Sequence, residues 1–443
     1  MNNPKTNLKG HLLNVLGLVF GVAVAIGLTI GPGILRVPSV VATQLPSFWM
    51  FISVWIIGGL YAFICAPSFI ELGTSVRRSG GLYVFAQRAL GNYAGFVVGY
   101  SDWLVYSGTI AFFGILSSDV LKGLFPSLSG YSRMVAFAIV IVFPLLQYQG
   151  IKSASRIQTI TSALKVVGIL LLAITAFTFG SYHTAVSFNV MKPDGIGFVI
   201  PFILALQIVI FTYDCYYSVV YFAEEFRDPA RDIPRSVFRS VWLIMGLYLF
   251  INLAFAYVLP PAQMAKEAFV GGAVAKVVFG ASGEIIISIL TLILVVGSIN
   301  AQYLGATRVL FAMSNDGLFP KKAAIVNKGG TPTVTLFMTM IIAMIFLLSE
   351  SFEKVLSVIT FFIVFNYMIS FVSVFVLRRK EPNIQRPYMA WGYPWTTIFA
   401  LMGTVVLLAG AVIADTRNSI YALIALLVTY PAFLIFRKQI LKS

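Results

Sequence analysis

Apolar runs about twenty residues long recur along the chain between short polar stretches, a spacing that matches the hydrocarbon core of a bilayer. In order they predict membrane-spanning helices at 12–42, 48–73, 93–121, 134–149, 157–179 and 196–222. A second group follows at 237–259, 285–313, 334–348, 355–377, 395–414 and 420–436. The pattern describes an all-α integral membrane protein of about twelve transmembrane helices, with both termini on one side.

Two of these spans carry residues that interrupt a helix. The stretch GLTIGPGILRVP in span 1 holds Gly27, Gly31 and Gly33 with Pro32 and Pro38, residues that weaken or remove helical hydrogen bonds. Backbone groups freed inside a membrane cost several kcal/mol each unless protein, water or a ligand satisfies them. The interruption is therefore either a kink relieved by neighbouring helices or a binding site. A second interruption, FTYDCYY at 211–217, falls in span 6. Span 6 comes five spans after span 1, an odd offset, so it runs opposite to span 1, the condition for an inverted repeat of five helices plus five. The repeats would be 12–179 and 196–377, with helices 11 and 12 at 395–436 outside them and tails at 1–11 and 437–443. In that arrangement the broken helices meet near the midplane, where helix N-termini attract anions and free carbonyls attract cations. A zwitterion suits both.

Composition excludes a soluble domain, with 59% hydrophobic and 11% charged residues. The net charge of +15 comes mostly from loops on the side of the termini, including Arg77, Arg78, Arg227, Arg231, Arg235, Arg308 and Arg378. The opposite loops hold Lys122, Arg133, Lys192, Lys266, Lys276, Lys354 and Arg417. This asymmetry predicts cytoplasmic termini in a plasma (cytoplasmic) membrane and removes any need for a nucleic acid partner. Cys65 and Cys215 lie in apolar spans, and His11 and His183 stand apart from any cluster of ligands, so no metal or other cofactor is expected. No Ser/His/Asp grouping or phosphate loop is present, which argues against an enzyme.

Lys165 is the most informative side chain, about ten residues into span 5 and so roughly 15 Å along it, near mid-bilayer. A lysine at that depth must be paired or face a cavity. It is either a structural cation on the carbonyls of the first break or a group that couples transport to protonation or gating, and Ser298 is its candidate partner. Asp214, inside the second break, either caps backbone donors or meets a cation. Asp102 and Glu71 are expected to pair with arginines of the basic loops as gating or structural contacts. Phe211, Tyr213, Tyr216 and Tyr217 cluster at the second break, where Phe211 at its start is the candidate ligand contact.

The chain resembles amino acid permeases of the amino acid/polyamine/organocation superfamily, most of all the L-amino-acid transporter branch. The likeness rests on GPGILRVP, on the 71–104 segment beginning ELGTSVRRSGGLYVF, on FTYDCYYSVVYFAEEFRDPARDIPRS and on GSINAQYLGATRVLFAMSNDGLFP. It implies a LeuT-like 5+5 fold with broken helices 1 and 6, and sodium-independent transport. It also implies that Gly31 and Gly33 flank a substrate carboxylate, that the Phe211 carbonyl meets the amine beneath its ring as a gate, and that Lys165 occupies a sodium-like position supported by Ser298 and Tyr248. Pro32 departs from the usual Gly-small-Gly motif and lacks an N–H, which leaves the carboxylate to Gly33, Ile34 and Thr29. Cys215, Tyr216 and Tyr217 replace the Gly-Trp-Asn common in mammalian members, so Tyr213, Asp214, Cys215 and Tyr217 would line a remodelled side-chain pocket. The loop 122–133 lacks the cysteine that tethers some animal members to a glycoprotein, so no disulfide-linked subunit is expected. The expected function is alternating-access transport of L-amino acids, neutral ones favoured, by exchange or proton symport. A carrier of cationic amino acids or polyamines and an amino-acid sensor on the same scaffold are the competing readings.

Overall fold

The computed structural model describes residues 12–180, 198–348, 352–414 and 416–441. The expected tail at 1–11 and the first residues of span 6, at 196–197, lie outside them. Among the described residues the chain is helical, with isolated bridges Leu16 to Phe226 and Val326 to Pro332 in place of strands. The helices in order are α1 Leu18–Thr29, α2 Gly33–Gln44, α3 Phe48–Val76, α4 Leu82–Leu90, α5 Asn92–Leu124, α6 Ser132–Tyr148, α7 Ile151–Phe179 and α8 Val199–Thr212. They continue with α9 Pro229–Val258, the single turn α10 Pro261–Met264, α11 Val270–Phe279, α12 Gly283–Asn315, α13 Thr333–Leu348, α14 Phe352–Lys380, α15 Trp395–Ala414 and α16 Thr416–Leu441.

Nine of the described helical stretches are long and apolar enough to cross a membrane, or ten if α1 and α2 form one bent span. α8 and α13 are shorter apolar helices at the positions of predicted spans 6 and 9. α16 runs on to Leu441, past the boundary expected at 436. α1 packs against α7, α9 and α12, while α5 packs against α12, α13 and α14. The helix carrying the first break is thereby enclosed, as its apolar and nearly featureless surface requires.

Polar signals set the ends of these helices. Asp228 accepts the Arg231 N–H at 3.2 Å and Pro229 opens α9, the usual start for a helix. α3 stops at Arg77 in the left-handed conformation, φ 45°. Gly81 then lies so close to the Tyr221 ring that a Cβ would sit 2.3 Å away, and the Gly80 N–H donates to the Tyr221 carbonyl at 3.1 Å. Glycine here lets the α3–α4 turn press against the segment that follows the second break.

Candidate functional site

Between α1 and α2 the chain bends by 48°. The carbonyls freed there are met by three side chains from neighbouring helices. The Lys165 ammonium on α7 donates to the carbonyls of Gly27 at 2.9 Å and Ile30 at 2.7 Å, and to the Ser298 hydroxyl on α12 at 2.7 Å. Ser298 passes its own proton to the Gly27 carbonyl at 3.2 Å. Two of these partners are carbonyls and the third is a hydroxyl, a set that the three donors of a protonated lysine match. Gly297 makes room for the stem, since a Cβ there would lie 2.6 Å from the lysine Cε. On α9, the Tyr248 hydroxyl stands 2.9 Å from the Thr29 carbonyl and 3.2 Å from that of Thr212, tying the end of α1 to the end of α8.

α1 is gripped lower down as well. The Ser162 hydroxyl and Gln158 amide donate to the Ala23 carbonyl at 2.7 and 3.3 Å, and the Asn300 amide donates to Gln158 Oε1 at 2.8 Å. Gln147 on α6 completes this buried seam through the Asn300 carbonyl at 2.8 Å. None of these amides stood out in the sequence; the only signal was their placement inside apolar runs.

The other side of the break presents donors. Gly33 begins α2, so its N–H precedes the first intrahelical bond, and the residue is exposed. The Ile34 N–H reaches the Gly31 carbonyl only at 3.5 Å, and among the described residues the buried Thr29 hydroxyl has no hydrogen-bond partner. The Gly31 N–H is committed to the Thr29 carbonyl at 3.1 Å. Gly31 itself is half-buried, open enough that the nearest atoms a Cβ would meet, on the Phe113 ring and Ser298, lie at ordinary contact distances of 3.6 Å and 3.8 Å.

At the second break α8 ends at Thr212, and the chain continues after Tyr217 as a 3-10 helix, Ser218–Glu225. Cys215 takes the left-handed conformation, φ 70°, a turn that costs a non-glycine residue about 1 kcal/mol or more. Asp214 supports it by accepting the Cys215 N–H at 2.6 Å and the Tyr367 hydroxyl, and it receives the Cys215 thiol at 3.4 Å. The Phe211 carbonyl, expected to face a ligand amine, accepts the Asp214 N–H at 3.1 Å within this turn. The Phe211 ring is 39% exposed and lines a cavity of about 250 Å³ with Gln207, Asp214, Ile363, Tyr367 and Leu407. Tyr213 is buried against Trp55, and Tyr217 stacks on Phe69 at 4.2 Å, so both pack into the surrounding helices.

Ion pairs close the basic face. Arg308, a loop residue by the charge pattern of the sequence, lies within α12, 1% exposed, and grips Glu225 with two bonds of 2.9 and 2.8 Å. Its guanidinium also sits 5.2 Å from the Phe222 ring centre. Beside this pair the Leu16 N–H donates to the Glu225 carbonyl at 2.9 Å and the Arg227 N–H to the Leu16 carbonyl at 3.1 Å. Glu71 meets Arg378 at 2.8 and 2.6 Å and Arg386 at 3.5 Å. Among the described residues Asp102 does not meet the expected arginine: the carboxylate accepts the Tyr221 hydroxyl at 2.8 Å, because α5 at that level faces the 3-10 segment. Asp316, outside the membrane core, accepts from Arg78 at 2.7 Å and from Tyr83 at 2.8 Å, and its charge beside Tyr83 adds to burial in raising the phenol's pKa.

The chain is similar to known proteins over most of its length. A family model described as amino acid permease matches residues 11–433. The chain is 24% identical to the serine/threonine exchanger SteT of Bacillus subtilis, over 96% of this chain and 97% of that protein. It is 27% identical to the human large neutral amino acids transporter small subunit 2, over 84% of this chain and 71% of the relative. It is also similar to the branched-chain amino acid permease BcaP of Bacillus subtilis, 26% identical over 77% of this chain and 76% of the relative.

Proposed function

The chain belongs to the amino acid permease family, and from that premise we propose that it carries neutral L-amino acids by sodium-independent alternating access. That it is a multi-pass membrane protein transporting amino acids follows from the family and its apolar helices. The observation that supports the narrower reading is the first break, where an ammonium holds the carbonyls of Gly27 and Ile30 while donors on the far side lie open. Free carbonyls at such breaks are where related folds hold a coupling sodium ion. Here Lys165 takes them, with Ser298 and Tyr248 in support.

In this reading the substrate carboxylate lies on the N–H groups of Gly33 and Ile34 and the Thr29 hydroxyl, beside Gly31. The amine lies near the carbonyls that Tyr248 brings together, under the Phe211 ring. The side chain points toward the cavity at the second break, past Asp214 and Cys215, with Tyr213 and Tyr217 shaping it from behind. The basic face is the cytoplasmic one, both termini lie there, and the membrane is the plasma membrane. The 12–179 and 196–377 segments form the inverted repeats. The protein works without a disulfide-linked glycoprotein subunit, since 122–133 holds no cysteine.

A thermal-shift screen of the purified protein against the twenty L-amino acids tests this directly, because a ligand that binds only the folded state raises Tm. Neutral amino acids are expected to raise it and then to show saturable flux in proteoliposomes without sodium. No shift and no flux for any neutral amino acid would overturn it. Asp214 in the cavity favours one other outcome, a response to L-lysine or putrescine alone.

A further inference from the structure

Among the described residues three carboxylates are fully buried: Glu71, Asp102 and Glu225. Two have arginines, Arg378 with Arg386 for Glu71 and Arg308 for Glu225. Asp102 is 6% exposed, and its one hydrogen-bond donor is the neutral Tyr221 phenol at 2.8 Å. A carboxylate anion inside a membrane protein, without a cation and with a single donor, is costly by several kcal/mol. Holding a proton removes that cost.

The other candidates for a mobile proton are better satisfied as ions. Lys165 uses all three ammonium donors, and Asp214 receives donors from Cys215 and Tyr367. Hydrogen bonds to a charged form keep it charged. The titratable groups around Asp102 are Tyr106 on its own helix and Tyr217, Tyr221, Cys215 and Asp214 at the second break. α14 contributes Tyr367, already bonded to Asp214, and α12 contributes Arg308, committed to Glu225. α13 has no titratable residue, and Arg88 on α4 pairs with Glu381. Among the described residues no cation is left to hold Asp102 as an anion.

We infer that Asp102 is the proton carrier of transport. The inference rests on the transporter reading above and adds coupling to it. Tyr221 belongs to the 3-10 segment that ends in the Glu225–Arg308 closure, four residues on. When that segment moves and admits water from the basic face, the Asp102 carboxyl releases its proton to water and becomes a carboxylate. Once the opposite side opens, the carboxylate takes a proton from water there, and the imposed proton gradient supplies the driving force. Tyr221 follows the carboxyl in both states, so protonation and closure of the basic face are linked.

Asp102→Asn and Tyr221→Phe test this in proteoliposomes with radiolabelled L-serine and L-leucine. In the wild type an inside-alkaline gradient accelerates uptake. Asp102→Asn retains exchange against internal amino acid but loses that acceleration and the pH dependence of exchange. Tyr221→Phe removes the anion's one donor and moves the pH dependence about one unit alkaline. Infrared spectra supply a readout that needs no substrate: a protonated-carboxyl band present at neutral pH vanishes in Asp102→Asn. A band unchanged in Asp102→Asn, or gradient-driven uptake preserved in it, overturns the inference. If the wild type moves neither amino acid, the transporter reading fails, while the band still decides whether Asp102 holds a proton.

Discussion

Arg308→Gln probes the closure of the basic face, and its size can be worked from the pair it breaks. Arg308 and Glu225 are 1% and 0% exposed, joined by bonds of 2.9 and 2.8 Å. Removing the arginine leaves the Glu225 carboxylate buried without a cation, which costs about 3–5 kcal/mol. The reverse change, Glu225→Gln, is gentler. Arg308 still donates to the Thr307 hydroxyl at 2.9 Å and the Leu304 carbonyl at 3.4 Å, so the loss is nearer to about 2 kcal/mol. The double variant buries no charge and should recover part of the single loss. In the alternating-access reading the pair exists only when this face is closed, so about 3–5 kcal/mol lowers the closed-to-open ratio by roughly 10² to 10⁴. Hydrogen exchange over 218–227, followed by mass spectrometry in detergent, reads this ratio. Protection is expected to fall most in Arg308→Gln, less in Glu225→Gln, and to return partly in the double variant. Equal loss in the two single variants, or a double variant worse than both, would refute a closure held by charge pairing.

Lys165→Ala should leave the protein folded but abolish or uncouple uptake, since the Ile30 carbonyl loses its donor and the break loses its cation; wild-type uptake kinetics in proteoliposomes would contradict the role. Gly27→Ala places a Cβ 1.7 Å from the Gln158 amide nitrogen, an overpacking that costs about 1–3 kcal/mol. Its Tm should fall, and Gln158→Ala in the same chain should restore part of the loss. Pro32→Ser adds a backbone donor beside Gly33, so binding of a neutral amino acid, followed by thermal shift, should be unchanged or tighter, whereas a collapse in affinity would mean that the proline ring shapes the site.

How much of this was legible beforehand follows from what a bilayer penalises. Lipid tolerates neither free peptide groups nor isolated charge, so the glycines and proline at 31–33, the Asp214 turn and Lys165 stood out against an apolar background and marked the breaks and their cation. Residues of the same chemical type were opaque when their role depended on which helix they met. Arg308 looked like one more loop charge and Glu225 like one more loop acid, and only packing of α12 against the 3-10 segment made them a buried pair. Charge pattern pairs Asp102 with an arginine, yet α5 turns it to the Tyr221 phenol. Phe211 lines a cavity at the second break, and its carbonyl accepts the Asp214 N–H within the turn, a bond set by the fold of 211–215. Local sequence alone determined where helices stop and which groups could not stay bare, because those costs are set residue by residue. The tertiary arrangement decided which partner answers each need, because contacts between segments far apart in the chain depend on helix rotation and tilt, which no single apolar run encodes.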